Sequence, residues 1–172
     1  MEKKLNIGCG KDIKKGYVNI DKFSLAGVDV VHDLNVFPWP FKDNSFEEIN
    51  AEMILEHLDN WTKALEEIWR VSKNKARIKV IVPFFPSIYS VIDPTHKNFF
   101  TYFTFDYFQP NHNFSYYSKA KFNILKRHIR FSWNPVLNIL SYPINWFPKF
   151  YSRYFAFMLP SNSLEFELET IK

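Results

Sequence analysis

The chain has 172 residues and a mass of 20.6 kDa, enough for one domain with a sizeable core. With 47% hydrophobic and 23% charged residues, it is excluded from the disordered, collagenous and coiled-coil classes. A net charge of +4 falls far short of a committed nucleic-acid binder, and one cysteine excludes an intramolecular disulfide framework and an all-cysteine zinc site.

The start of the chain, residues 1–4, carries charge and leads into Leu5-Asn6-Ile7 without an apolar leader. No run of about 18 uninterrupted apolar residues follows, so no spanning helix is expected. With the lone cysteine, these features lead us to expect a cytoplasmic protein. Residues 5–7 read as a strand that breaks at Gly8-Cys9-Gly10. Residues 17–20 read as a second strand closed by Asp21, and residues 28–31 as a third, followed by His32-Asp33-Leu34. Residues 37–41 are a loop, because Pro38 and Pro40 remove donors and disfavour helix. Residues 46–51 form a fourth strand. Asn60 is a helix N-cap, and Trp61, Leu65, Ile68 and Trp69 then recur on one helical face. Residues 77–82 are a fifth strand, ended by Pro83. This alternation is that of a parallel α/β sheet.

Only residues 8–16 join the first two strands, so any helix there is one or two turns long. Part of one sheet face is then thinly covered, and the aromatic C-terminal excursion or a partner chain is expected to cover it. The second half is rich in aromatics, which make up 19% of the chain. Residues 84–117 read as loop, 122–131 as a sixth strand, and 135–157 as short helices broken by proline. Leu164, Phe166 and Leu168 alternate with Glu165, Glu167 and Glu169, the period of a strand with one buried face.

The first three strand ends carry chemistry. Gly8 and Gly10 allow a sharp turn and a close ligand approach. A carboxylate at Asp21 can accept both ribose hydroxyls of a nucleoside. Asp33 stands where a carboxylate can accept an adenine amino group. The run Leu5-Asn6-Ile7-Gly8-Cys9-Gly10, then Tyr17-Val18-Asn19-Ile20-Asp21, then Val30-Val31-His32-Asp33-Leu34 resembles the class I S-adenosylmethionine-dependent methyltransferases. Asp43-Asn44-Ser45-Phe46, Leu55-Glu56-His57-Leu58 and Ala64-Leu65-Glu66-Glu67-Ile68-Trp69-Arg70-Val71 extend the likeness to the type 11 branch.

The resemblance implies a single Rossmann-like domain over residues 1–172. Its sheet would have seven mostly parallel strands with an antiparallel C-terminal strand, a shortened first helix and an aromatic helical insertion at 132–160. Residues 1–83 would be the cofactor half and residues 84–172 the substrate side. The implied cofactor is S-adenosylmethionine. Gly8, Cys9 and Gly10 would pass under its methionine part, Asp21 would hold the ribose with Lys22 in the same cofactor-binding set, and Asp33 with the Leu34 amide would read adenine. Ala51, Glu52 and Met53 would line the methionine end. Asn6 belongs to the same set; it replaces an acidic residue of many relatives and cannot neutralise the cofactor ammonium.

His96, with Asp93 three residues earlier, is a candidate general base. The alternative is an Asp93-Pro94 turn with His96 as a hydrogen-bonded packing residue. His57 is a candidate at the cofactor or acceptor, against a plain surface pair with Glu56. No metal site is assigned. The Asp/Asn-Pro-Pro-aromatic motif of adenine and glutamine methylation is absent, since Ala51-Glu52-Met53-Ile54 stands there. Lys119, Lys121, Lys126, Arg127 and Arg130 admit a nucleic-acid partner, which a solvated face explains better. Residues 133–159 mix aromatics with Lys149 and Arg153; they fit a peripheral membrane contact, sheet cover or an oligomer interface. The expected activity is methyl transfer to an oxygen or nitrogen of a small-molecule, lipid or sugar-type acceptor. RNA or protein methylation and a non-catalytic scaffold subunit are the alternatives.

Overall fold

The computed structural model describes residues 3–172; Met1 and Glu2, the first residues of the charged start, lie outside the described residues. Five strands come first: β1 (Lys4–Ile7), β2 (Tyr17–Asp21), β3 (Val30–Val31), β4 (Phe46–Glu52) and β5 (Ser72–Pro83). They are parallel. Helix α1 (Trp61–Val71) connects β4 to β5. β6 (Lys121–Arg130) and β7 (Ser163–Ile171) complete a seven-stranded sheet in the order β3-β2-β1-β4-β5-β7-β6. β7, the strand read from the period-2 alternation near the C-terminus, runs antiparallel to both neighbours, as the family resemblance implies.

Helix α1 forms where its caps and pattern place it. The Asn60 side chain accepts a hydrogen bond from the Lys63 amide at 2.9 Å, and Ser72 Oγ donates to the Ile68 carbonyl at 2.6 Å. Ala64, Leu65, Ile68 and Val71 are buried on the face turned to the sheet. There they join Leu5, Ile49, Ile78 and Val80 from the strands, with the Phe105 ring tilted 55° against Phe166 at 4.6 Å. Arg70 and Glu67 pin the long β3–β4 connection to this helix. Glu67 accepts from the Trp39 amide at 2.8 Å, while Arg70 donates to the carbonyls of Phe41 and Trp39 at 2.8 and 3.1 Å.

The other sheet face differs from expectation. The Gly8–Gly16 connection contains no helix; it is a turn and an extended loop. Its backbone is held by amide side chains on the sheet. Asn6 Nδ2 donates to the Asp12 carbonyl at 2.8 Å, and Asn19 Oδ1 accepts from the Lys14 amide at 2.9 Å. Asn19, Asn6 and Asn50 are in register across β2, β1 and β4 and bond to each other at 3.0 and 2.8 Å. The row continues through Lys79, Glu167 and Lys126, and the row beside it runs Tyr17, Lys4, Glu48, Arg77, Glu169. Ion pairs knit these rows, among them Lys4–Glu48 at 2.6 Å and Lys126–Glu167 at 3.6 Å. Such pairs add little stability each, but they remove any need for an apolar cover.

The aromatic excursion accordingly does not serve as that cover. It holds α2 (Ser141–Trp146), α3 (Pro148–Phe150) and a π-turn over Tyr151–Phe155. It packs along the outer edge of β6. Asn145 accepts from the Ile129 amide at 2.9 Å and donates to the Ile129 carbonyl at 2.8 Å, standing in for a strand partner.

Replacing Asn6 with leucine leaves the Asp12 carbonyl and the Asn50 amide without their partner. We expect a loss of about 2 kcal/mol in urea unfolding. A wild-type unfolding midpoint for Asn6→Leu would show that the amide row does not hold the loop.

Candidate functional site

The carboxyl ends of β1, β2 and β4 open into a cleft of about 740 Å³. Gly8 and Gly10 form its floor, Asp21, Lys22 and Phe23 one wall, and Asp33, Leu34 and Asn35 another. Met53, Ile54, His57, Leu58 and the 94–97 loop close the far side. Both glycines have positive φ, +60° and +50°. A Cβ on Gly8 would meet Ile54 at 2.4 Å, whereas one on Gly10 would enter open space. Met53 also has positive φ, 50°, a strained position for a side chain of its size.

Asp21 is buried and organises the turn. Its carboxylate accepts from the Gly10 amide at 2.8 Å and the Phe23 amide at 2.9 Å. A carboxylate offers about four lone-pair sites, so two remain for ligand hydroxyls. Asp33 accepts from the Asn35 amide at 2.9 Å and keeps an exposed edge toward the cleft. The described residues fit a nucleoside carrying a flexible chain: acceptors at two walls and bare backbone on the floor.

Of the expected cofactor residues, Gly8, Gly10, Asp21, Lys22, Asp33, Leu34 and Met53 line the cleft. Four do not. Asn6 is 2% exposed within the amide row. Cys9 turns into the core, where burial, with Asp21 nearby, raises its thiol pKa. Ala51 is fully buried under the sheet, and Glu52 points to the polar face toward Lys14 and Lys79, at 3.6 and 3.7 Å. Strand alternation separates them: β4 turns Ala51 to the core and Glu52 away from it, so only Met53 beyond the strand end reaches the cleft. Phe23, Asn35, Thr95 and Lys97 line it without having been anticipated; Thr95 lies within the Asp93-Pro94-Thr95-His96 string, which was its one sequence signal.

The candidate catalytic residues converge, although not as the expected dyad. Asp93 accepts from the Thr95 amide at 2.8 Å and the Thr95 hydroxyl at 2.7 Å. These bonds hold its carboxyl below the usual carboxylate range. Among the described residues, no Asp93–His96 side-chain bond forms. His96 Nδ1 instead faces the Ser90 carbonyl at 3.1 Å, and His57 Nδ1 faces Thr95 Oγ1 at 2.8 Å. The two imidazoles meet edge to face, with centroids 4.6 Å apart. Burial, and then the neighbouring His96, lowers the His57 pKa. Glu56 lies beneath them at 1% exposure, its carboxyl pushed up to about 7 chiefly by burial. The loop reaches this place because the Lys97 and Asn98 amides both donate to the Glu56 carbonyl, at 2.8 and 3.1 Å.

The basic residues of β6 are internally occupied. Arg127 pairs with Asp106, Arg130 with Glu165 at 2.5 Å, and Lys121 donates to the Ser115 carbonyl at 2.9 Å. That neutralises most of the patch weighed for nucleic acid. No described helix is long and apolar enough to cross a membrane.

Residues 5–79 match the family model described as a methyltransferase domain. An uncharacterized protein of Methanocaldococcus jannaschii is 35% identical in an alignment that covers 45% of this chain. The chain spans only 39% of that relative's length. The S-adenosylmethionine-dependent methyltransferase of Archaeoglobus fulgidus superposes with a TM-score of 0.59 at 17% identity, covering 98% of this chain and 86% of that one. A chain solved in complex with the Haloferax volcanii Trm112 methyltransferase activator gives 0.63 at 13% identity, over 99% and 83%. The [4+2]-cyclase SpnF also gives 0.63 at 13% identity, over 99% and 74%. At these identities the superpositions establish the fold.

The two floor glycines carry different constraints. Gly8→Ala meets both the positive φ and the Ile54 contact, and we expect it to lose about 2 kcal/mol or more in urea unfolding. Gly10→Ala meets the backbone term alone and should lose less. Equal losses would show that Ile54 does not press on the floor.

Proposed function

We propose that the chain, whose residues 5–79 match a methyltransferase domain, is a class I, S-adenosylmethionine-dependent methyltransferase that transfers a methyl group to an oxygen or nitrogen of a small or lipid-linked acceptor. The observation that carries this reading is the cleft, where Gly8, Gly10, Asp21 and Asp33 from consecutive strand ends face one space. S-adenosylmethionine, when bound, supplies an electrophilic methyl on sulfur. In this reading Asp21 accepts the ribose hydroxyls with its two unused lone pairs. Asp33 and the Leu34 amide read the adenine edge, and the bare floor at Gly10 admits the methionine chain. Residues 84–172 form the acceptor side, where Thr95 borders the cleft beside His57 of the cofactor half.

The surface beside the cleft supports an apolar acceptor. Ile88, Val91, Ile92 and Phe99 are each more than half exposed next to the 93–96 loop. Phe85 links Phe99 to Phe157 through ring contacts of 5.5 and 5.8 Å. The apolar surface thus continues into the excursion, where Trp146, Phe147, Phe157 and Met158 are 68–79% exposed. Lys149 and Arg153 lie among them, a composition suited to the interface of an anionic bilayer. A hollow of about 270 Å³ between Ile144, Phe147 and Phe155 is lined almost entirely by apolar atoms, as an acyl chain requires.

Calorimetric titration tests the cofactor. We expect saturable binding of S-adenosylmethionine and its demethylated product, weakened at least about 10-fold in Asp21→Ala. Folded protein that binds neither compound refutes the enzyme reading. Flotation with anionic liposomes tests the apolar surface: the wild type should float, and Trp146→Glu with Phe157→Glu should not. Wild-type protein that stays at the bottom while self-associating would assign the excursion to a subunit contact instead.

A further inference from the structure

Glu56, His57 and His96 bring one potential ligand atom each to within 4.8 Å of one another. The surrounding bonds decide which protons are present. Thr95 has one hydroxyl hydrogen and gives it to Asp93 Oδ1. Its oxygen can therefore only accept from His57, which places a proton on His57 Nδ1. The Ser90 carbonyl can likewise only accept, which places a proton on His96 Nδ1. In each neutral ring the Nε2 lone pair is left unused. Both oxygens of the buried Glu56 carboxylate have no hydrogen-bond partner among the described residues.

Three acceptors thus share one small volume with no donor among them. A buried carboxylate in that state is neutralised by a proton, as its raised pKa permits, or by a cation, and the two unused imidazole lone pairs beside it offer a cation two more ligands. Imidazoles oriented by a carbonyl and a carboxylate-backed hydroxyl are the support that metal-binding histidines commonly have. We propose that Glu56, His57 and His96 hold a divalent transition-metal ion of the zinc class. Two nitrogens and one carboxylate suit that class and leave further coordination positions open. His57 also borders the cleft, so the natural further ligand is a hydroxyl oxygen of the acceptor. This last role rests on the methyltransferase reading; the metal site itself does not.

The test uses Zn²⁺ calorimetry on chelator-treated full-length protein, with Co²⁺ as a spectroscopic probe. We expect one equivalent to bind and Co²⁺ to give visible ligand-field bands. His96→Asn and His57→Asn should each weaken binding at least about 100-fold, and Glu56→Gln should change the Co²⁺ spectrum. Asp21→Ala should keep the metal while losing S-adenosylmethionine. Wild-type protein with no saturable one-equivalent binding overturns the site, whether or not the variants fold. So does unchanged affinity in a folded His96→Asn protein. Metal binding without S-adenosylmethionine binding would retain the site and remove the methyltransferase reading.

Discussion

The short link between β1 and β2 is the constraint on which the rest depends. A parallel crossover ordinarily uses a helix to satisfy its own backbone and cover the sheet. Here Gly8–Gly16 is too short for that, and its carbonyls and amides need partners from elsewhere. Asn6 and Asn19 provide them, and Asn50 completes the amide row. Once side chains of β1 and β2 are committed to bonding the loop, that face of the sheet must be polar. The ion-paired rows running out to β6 follow the same rule. The floor of the cleft is then held from beneath by hydrogen bonds, without a packed helix.

The opposite face carries all the apolar load. Its cover is one regular helix and a set of irregular aromatic turns. Trp61 joins the two, with its ring 5.1 Å from Phe100 and 5.7 Å from Phe108. Large rings fill volume without needing regular backbone, so aromatic abundance and loop-rich structure go together here. The same loop delivers Thr95 to the cleft and His96 to the ring of His57, so the segment that packs the core also carries site residues.

The strands, the one-sided burial of β7 and helix α1 were legible because each depends on a local period or cap, whereas the antiparallel direction of β7 was implied only by the family resemblance. Asp21 and Asp33 were legible as cleft residues because consecutive strand ends of a parallel sheet open on one side, although the turn amides that each also accepts were not. Asn6 was misplaced for the converse reason: a buried asparagine reads like a ligand contact until its partners on neighbouring strands are known. Glu52 and Met53 are adjacent yet face opposite ways, and the end of β4 alone decides which reaches the cleft. The Glu56–His57–His96 convergence was invisible, since it depends on two amides of a distant loop finding one carbonyl. The aromatic excursion was legible as proline-broken helix, but its seat on the β6 edge depends on Asn145, which carries no local signal.

The placement of β7 orders the assembly of the sheet. β6 precedes β7 in the chain yet touches the sheet only through it, so β6 joins the sheet with β7 or after it, never before. Until then β5 presents a free edge of apolar, β-branched residues, Ile78, Val80, Ile81 and Val82. The glutamates interleaved along β7 act here as gatekeepers: they leave this late-arriving strand only one sticky side during the search for its partner. In the finished sheet two of these glutamates pair with Arg130 and Lys126, so the side of β7 kept polar during the search also ties it to β6.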